Sequence, residues 1–142
     1  GNLHYVKKKI EELCLSDQVY VLGFVPKNEM AAFYKSSSML AFLSLCGPEN
    51  LPPLEAFSAK CPVISSRIDG SEEQFGDAVL FCNPINPEDI ADKIYELFRS
   101  DILKKKLINK GIDRANIWNS VNYGERILKI INEFSNIRRN WS

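Results

Sequence analysis

Short apolar runs that alternate with helical segments constrain this chain more than any other feature. Four such runs stand at residues 19–22, 39–43, 62–66 and 78–82. The second and fourth are apolar throughout, which is typical of strands buried on both faces of a sheet. Between the first two, Met30, Phe33 and Tyr34 recur at helical spacing. The alternation predicts an α/β fold in which helices cover both faces of a parallel sheet.

Two of the other predicted helices lie C-terminal to the second apolar run. One spans residues 54–60, with Pro53 near its first turn, where the missing N–H of proline costs nothing. The last helix follows Ser120, and its apolar residues are expected to face the core. These residues are Tyr123, Ile127, Ile130, Ile131 and Phe134.

Length and charge exclude several classes of protein. With 142 residues, of which 45% are hydrophobic, the chain fits a single folded domain over residues 1–142 and not a disordered segment. The 18 basic residues equal the 18 acidic ones, so the formal charge is zero and nucleic acid is not an expected partner. No apolar run approaches the roughly 18 residues that a membrane span needs.

The cysteines do not form a metal-binding pattern. Cys14, Cys46, Cys61 and Cys82 include no C-x-x-C pair, and the only histidine is His4, so no metal site is expected. Cys61 and Cys82 lie in apolar runs and are predicted to be small buried side chains. Unpaired thiols favour a reducing, cytoplasmic location.

The loop that follows the second predicted strand is the strongest candidate for a ligand site. In parallel α/β sheets, ligands bind beyond the carboxyl ends of the strands. This loop leads into a helix N-terminus, which favours a phosphate. Glu55 could accept hydrogen bonds from two neighbouring hydroxyls, as a ribose offers. The alternative is that Glu55, as a first-turn acid, only complements the helix dipole, and spacing alone favours that alternative.

The stretch from Leu51-Pro52-Pro53-Leu54-Glu55-Ala56 to Pro62-Val63-Ile64 resembles the donor-site motif of retaining glycosyltransferases of family 4, also called group 1. Segments 21–26, 29–34 and 70–78 resemble further parts of the family pattern in the same order. The Gly-Pro-x-Asn-x-Pro-Pro form is similar to a bacterial subset that makes surface polysaccharides. The resemblance implies an incomplete C-terminal half of a GT-B fold, a Rossmann-like domain that binds the nucleotide sugar.

The resemblance also assigns expected roles to single residues. Glu55 matches the second glutamate of the family's Glu-x7-Glu motif, which implies a hydrogen bond to the donor ribose. The first glutamate falls at Gly47, and Glu49 is out of register, so no catalytic side chain is assigned.

Two further groups of residues complete the expected donor site. The loop that would face the donor phosphate and sugar consists of Gly47, Pro48, Glu49, Asn50 and Leu51. Phe24 and Val25 match the turn that lines the nucleobase pocket, and the alternative is that they are ordinary core residues at a strand end.

The function implied by the resemblance is transfer of a hexose from a UDP-, GDP- or ADP-linked donor to a carbohydrate or lipid-linked acceptor. Retention of configuration is implied, and no metal or other cofactor is expected because no Asp-x-Asp motif occurs. The acceptor would bind through an N-terminal domain that this sequence lacks, and the parent enzyme could associate peripherally with a membrane. The isolated chain is expected to be inactive.

Two other classes of function stay open. Gly47 in place of a glutamate favours a non-catalytic nucleotide-binding module of the same fold. A plain α/β interaction domain, in which the loop has only a structural role, is the third possibility.

The sequence starts without a methionine and lacks the strand, helix and strand with which the family's donor domain opens, so we expect a fragment. In the usual strand order, the missing strands would lie beside residues 19–22. This run would then pair directly with the rest of the sheet, pair with another chain, or leave the domain marginally stable. An exposed strand edge invites self-association.

We therefore predict that the chain forms a homo-oligomer or a strand-swapped assembly. Sedimentation equilibrium measures the mass in solution directly. A mass that stays at that of one chain over the whole concentration range would contradict this prediction.

Overall fold

The computed structural model describes residues 2–46 and 50–138. Two compact units divide the chain, Gly1–Met30 and Ala31–Ser142. The described helices and strands, in chain order, are α1 (Leu3–Glu12), α2 (Lys27–Ser36), β1 (Leu40–Phe42), α3 (Leu51–Ser58), β2 (Val63–Ser66), α4 (Ser71–Phe75), β3 (Val79–Cys82), α5 (Pro87–Arg99), α6 (Asp101–Ile117) and α7 (Ser120–Arg138).

The strands of the second unit form one parallel sheet in the order β1-β2-β3. Val63 of β2 lies opposite Leu40 of β1 on one side and Val79 of β3 on the other. Each strand reaches its parallel neighbour through a helical connection, α3 between β1 and β2 and α4 between β2 and β3. The predicted parallel α/β architecture is confirmed.

The core lies on both faces of β2, whose four residues are all buried. Because successive residues of a strand point to opposite faces, Val63 and Ile64 belong to separate apolar clusters. Val63 packs with Ala56 and Phe57 of α3. Ile64 belongs to the cluster that holds Leu97 of α5, and this cluster also contains Leu107 and Cys82. Helices therefore cover both faces of the sheet.

The predictions for the cysteines are confirmed where the structure tests them. Cys61 and Cys82 are buried, each 2% exposed. Cys14 and Cys46 are exposed, and all four thiols are free.

The prediction of a strand at residues 19–22 is wrong. No strand is assigned to this run, and its side chains are exposed, Tyr20 by 73%. An apolar run becomes a strand only where a neighbour accepts and donates its backbone hydrogen bonds. The described part of the chain pairs no strand with it. The expected homo-oligomer stays a prediction.

The expectation that the apolar side chains of α7 face the core is also wrong. Tyr123, Ile130 and Phe134 are 64%, 64% and 52% exposed. An apolar stripe on a helix predicts burial only where another surface covers it. Across the described ranges, 2–46 and 50–138, no surface buries these side chains.

Helices α3 and α6 approach each other closely at Gly111, a residue of α6. A Cβ atom built on Gly111 would lie 2.7 Å from Cδ1 of Phe57, closer than packed carbon atoms come. Phe57 is buried and meets Phe75 edge to face, with 6.1 Å between the ring centroids. The phenylalanine ring therefore has little room to move away.

Gly111→Ala should destabilise the protein by roughly 1–3 kcal/mol because the added methyl group overpacks the core. Chemical denaturation measures the free energy of unfolding. Gly124→Ala in α7 is the matched control, since nothing lies within 4 Å of its added Cβ, and alanine there should stabilise by roughly 0.5–1 kcal/mol. Equal effects of the two substitutions would contradict the close packing of α3 on α6.

Candidate functional site

Helix α3 begins at Leu51, three residues earlier than the sequence predicted. Prolines are tolerated in a first turn because its N–H groups have no partner within the helix. Pro52 and Pro53 therefore extend the helix and also remove two of the four free donors of its N-terminus. The backbone amides of Asn50 and Leu51 are the two donors of this terminus that have no partner within the helix.

Asn50 precedes α3 in an unusual state. Its backbone is left-handed, with φ 40° and ψ 45°, and its side chain makes no capping hydrogen bond. The residue is 8% exposed, and its Oδ1 has no hydrogen-bond partner among the described residues. A buried polar atom without a partner costs about 1–3 kcal/mol. A ligand that donates a hydrogen bond to Oδ1 would remove this cost.

Glu55 lies in the second turn of α3, and the first turn contains no acidic residue. The prediction that placed Glu55 in the first turn is wrong because the helix starts earlier than expected. The helix dipole acts mainly within the first turn. The alternative in which Glu55 only complements that dipole therefore loses its basis. The side chain is exposed, and its Oε2 accepts a hydrogen bond from Oη of Tyr34 at 3.2 Å.

Tyr34 lies on α2, and its ring packs against the core cluster that includes Ala56 and Phe57. Burial of the phenol, followed by the charge of the Glu55 carboxylate and the hydrogen bond to it, raises the pKa of Tyr34 from 10.0 to about 12. The tyrosine therefore stays protonated and donates its hydrogen bond throughout the physiological pH range.

The remaining predicted site residues form two groups, three that lie outside the described residues and two that lie in the first unit. Gly47, Pro48 and Glu49 lie outside the described residues. Phe24 and Val25 belong to the first unit, after Gly23, whose φ of 70° suits glycine. Phe24 is 94% exposed, so its alternative interpretation as a core residue is wrong. The nucleobase role of Phe24 and Val25 stays a prediction.

The structure adds one residue to the site that the sequence analysis did not assign. Asn50 directly precedes α3, which contains Leu51 and Glu55, and Tyr34, 21 residues before Glu55, reaches its carboxylate. In the sequence Tyr34 fits the apolar face of a helix, and no local spacing signals its contact with Glu55.

A second feature of the unit is a depression of about 670 Å³ along β3, with basic residues in its lining. Arg67 is paired with Glu72 and Lys110 with Asp77. The hydrogen bond from Lys110 holds the pKa of Asp77 below its usual range. Because these ion pairs already satisfy two of the cations, we assign no ligand to this depression.

Two features are absent from the described residues. These residues contain no group of three or more His, Cys, Asp or Glu side chains placed to hold a metal ion. None of the described helices combines the length and the apolar character needed to cross a bilayer.

Comparison with known families identifies the family of this chain. Residues 1–114 match the family described as glycosyl transferases group 1, and the chain belongs to this family. One curated relative is the O-antigen chain mannosyltransferase B of Escherichia coli, 28% identical over 94 residues. That match covers 66% of this chain and 25% of the relative, so the chain spans about a quarter of the length of that relative.

Solved structures confirm the fold. The C-terminal domain of the group 1 glycosyl transferase LpcC from Francisella tularensis is 26% identical, with a TM-score of 0.71. The match covers 82% of this chain and 63% of that one. Sucrose-phosphate synthase from Thermosynechococcus elongatus has a TM-score of 0.79 at 19% identity, and the match covers 96% of this chain and 34% of that one. The sheet and its helices thus match the C-terminal part of a GT-B glycosyltransferase.

The raised pKa of Tyr34 predicts a pH dependence of stability. Since the folded-state pKa lies above the ordinary value, the stabilisation is fully present below pH 10.0 and is lost as the pH rises through about 12. Urea unfolding at a series of alkaline pH values should show a steeper fall in the unfolding free energy for wild type than for Tyr34→Phe. Glu55→Gln should give an intermediate slope, because burial of the phenol persists. Equal slopes for wild type and Tyr34→Phe would contradict this account.

Proposed function

We propose that this chain binds the nucleotide-sugar donor of a retaining glycosyltransferase. The parent enzyme transfers a hexose from a nucleoside diphosphate to a carbohydrate or lipid-linked acceptor. The N-terminus of α3 carries the proposal. Two backbone amides without partners inside the helix, and a buried amide oxygen without a partner among the described residues, stand about one helical turn before an exposed carboxylate.

Each part of this arrangement suits one part of a nucleoside diphosphate. The amides of Asn50 and Leu51 can donate hydrogen bonds to phosphate oxygens, and the positive end of the helix dipole supports them. The Glu55 carboxylate accepts hydrogen bonds only, which fits the hydroxyl donors of a ribose. The donor would therefore lie along the first turns of α3, with its diphosphate at the N-terminus.

The proposed chemistry needs stabilisation of the leaving diphosphate. Negative charge grows on the phosphate as the bond to the sugar breaks, and fixed amides aimed at that charge lower the barrier. The proposal includes no metal, because the sequence contains no Asp-x-Asp pair. No side chain of this chain is assigned as the catalytic group.

The proposed acceptor class follows from the relatives. The name of the Escherichia coli relative states mannosyl transfer in an O-antigen chain. We extend this to a role in cell-surface polysaccharide synthesis, with mannose as the first hexose to test. The acceptor would bind outside the residues of this chain.

One sequence observation favours a second candidate function. Gly47 stands where the family motif has its first glutamate. A non-catalytic nucleotide-binding module of the same fold would keep the α3 site and lack transfer. Retained nucleotide-sugar affinity without turnover in the full-length parent would favour this module, whereas turnover in the parent would exclude it.

Thermal unfolding with UDP, GDP and ADP tests the donor site. A nucleotide at about 100 times its dissociation constant should stabilise the chain by roughly 2.7 kcal/mol, or several degrees, and one base should be preferred. Glu55→Gln should weaken binding by roughly ten- to hundredfold, because hydrogen bonds to a charged group contribute about 1.5–3 kcal/mol. The isolated chain should bind without transferring sugar.

Glu125→Gln is the matched control, since Glu125 is an exposed glutamate on α7. It should leave the nucleotide shift unchanged. A cooperative melt with no shift for any nucleotide would contradict the donor-site proposal. A shift that Glu55→Gln leaves undiminished would contradict the assigned role of Glu55 and support a different binding surface.

A further inference from the structure

The Glu55 carboxylate has a single anchor among the described side chains. Its Oε2 accepts from the Tyr34 hydroxyl at 3.2 Å, and no described lysine or arginine forms an ion pair with it. A carboxylate offers about four acceptor positions, so one hydrogen bond leaves most of them open. The remaining positions, on an uncompensated negative charge, can accept hydrogen bonds from a ligand's hydroxyl groups.

The side chain of Tyr34, which anchors Glu55, is itself held in place by packing. Its ring packs against the core cluster beneath α3, so the hydroxyl is held by the same residues that hold the helix. An exposed glutamate side chain, by contrast, has several rotatable bonds, and fixing it costs up to about 2 kcal/mol in rotamer entropy. A glutamate already held by a tyrosine loses less of this entropy when a ligand binds.

The direction of the hydrogen bond is fixed. Burial of the phenol, followed by the Glu55 carboxylate, raises the pKa of Tyr34 to about 12, so the phenol remains the donor and the carboxylate the acceptor at neutral pH. The contact therefore takes up one acceptor position of the carboxylate and leaves the others to a ligand.

We propose that Tyr34 is a positioning residue that orients the Glu55 carboxylate toward the ribose hydroxyls of the donor nucleotide. The inference rests on the proposed function, because it requires Glu55 to bind the ribose. Tyr34 itself touches Glu55 and not the ligand. It should therefore act only on ligands that carry ribose hydroxyls and only when the glutamate is present.

A double-mutant cycle tests this on the full chain. Affinities for the preferred nucleoside diphosphate, and for its 2′,3′-dideoxy analogue, are measured by calorimetry for wild type, Tyr34→Phe, Glu55→Gln and the double variant. Tyr34→Phe should weaken binding of the diphosphate by roughly three- to tenfold, as expected for one lost hydrogen bond. It should have no effect on the dideoxy analogue and none in the Glu55→Gln background.

Tyr95→Phe is the matched control. Its hydroxyl is also hydrogen-bonded, accepting from Arg99 at 2.8 Å, and it lies on α5. This substitution should leave both affinities unchanged. Melting temperatures without ligand show whether each variant is folded. If Tyr34→Phe fails to fold, absorbance titration of the phenol in Glu55→Gln provides a second test, in which Tyr34 should ionise at lower pH than in wild type.

The outcomes separate the two proposals. If Glu55→Gln weakens binding and Tyr34→Phe does not, the positioning role is overturned and the donor site stands. Tighter binding by Tyr34→Phe also overturns it, because the tyrosine would then compete with the ribose. An equal loss for the diphosphate and its dideoxy analogue indicates a structural effect and overturns it as well. If wild type binds no nucleotide, the proposed function fails and this inference fails with it.

Discussion

Burial of β2 on both of its faces is the constraint on which the rest of the second unit depends. A strand with apolar neighbours on both sides requires one helical layer against Val63 and another against Ile64. Helix α3 provides the first layer through Ala56 and Phe57, which are 0% and 2% exposed. The orientation of α3 is thereby set by the core and not by its own loop.

The same packing determines where the candidate site lies. Glu55 directly precedes Ala56 and Phe57, which are buried against the core, so the face that carries Glu55 must turn away from the sheet. Gly111 lets α6 come close enough to hold Phe57 in place. Tyr34 packs against the same cluster and reaches Glu55 from another helix. A change in the core would therefore shift the anchored carboxylate before it altered any residue of the site itself.

The sequence correctly predicts the strands whose hydrophobic pattern reflects burial within a sheet. The strand patterns at Val63 and Ile64, and in the run that contains Val79, correctly predict strands. These runs form strands because the same chain supplies the neighbouring strands that pair with them. The run at residues 19–22 has the same pattern without a described partner strand, and it forms no strand. The local pattern shows that a segment has apolar side chains to bury, whereas strand pairing depends on residues far along the chain.

The site shows the same division. The ribose contact of Glu55 is predicted by the resemblance of its motif to the family pattern. Composition alone could not predict this contact. The start of α3 was misplaced because Pro52 and Pro53 look like a loop, although prolines fit a first turn. The contact between Tyr34 and Glu55 joins residues 21 positions apart. Such a contact depends on how α2 packs, which no periodicity within either helix encodes.

The features that suit the α3 terminus to a ligand are also those that weaken the free protein. Asn50 has a left-handed backbone and a buried Oδ1 with no partner among the described residues, and Glu55 has no counter-ion there. Each would be removed by selection for stability alone, since capping residues and ion pairs are easily supplied. Local rules that are broken beside a well-packed core are typical of binding sites, and here they are broken where hydroxyl groups of a bound nucleotide sugar would donate the missing hydrogen bonds.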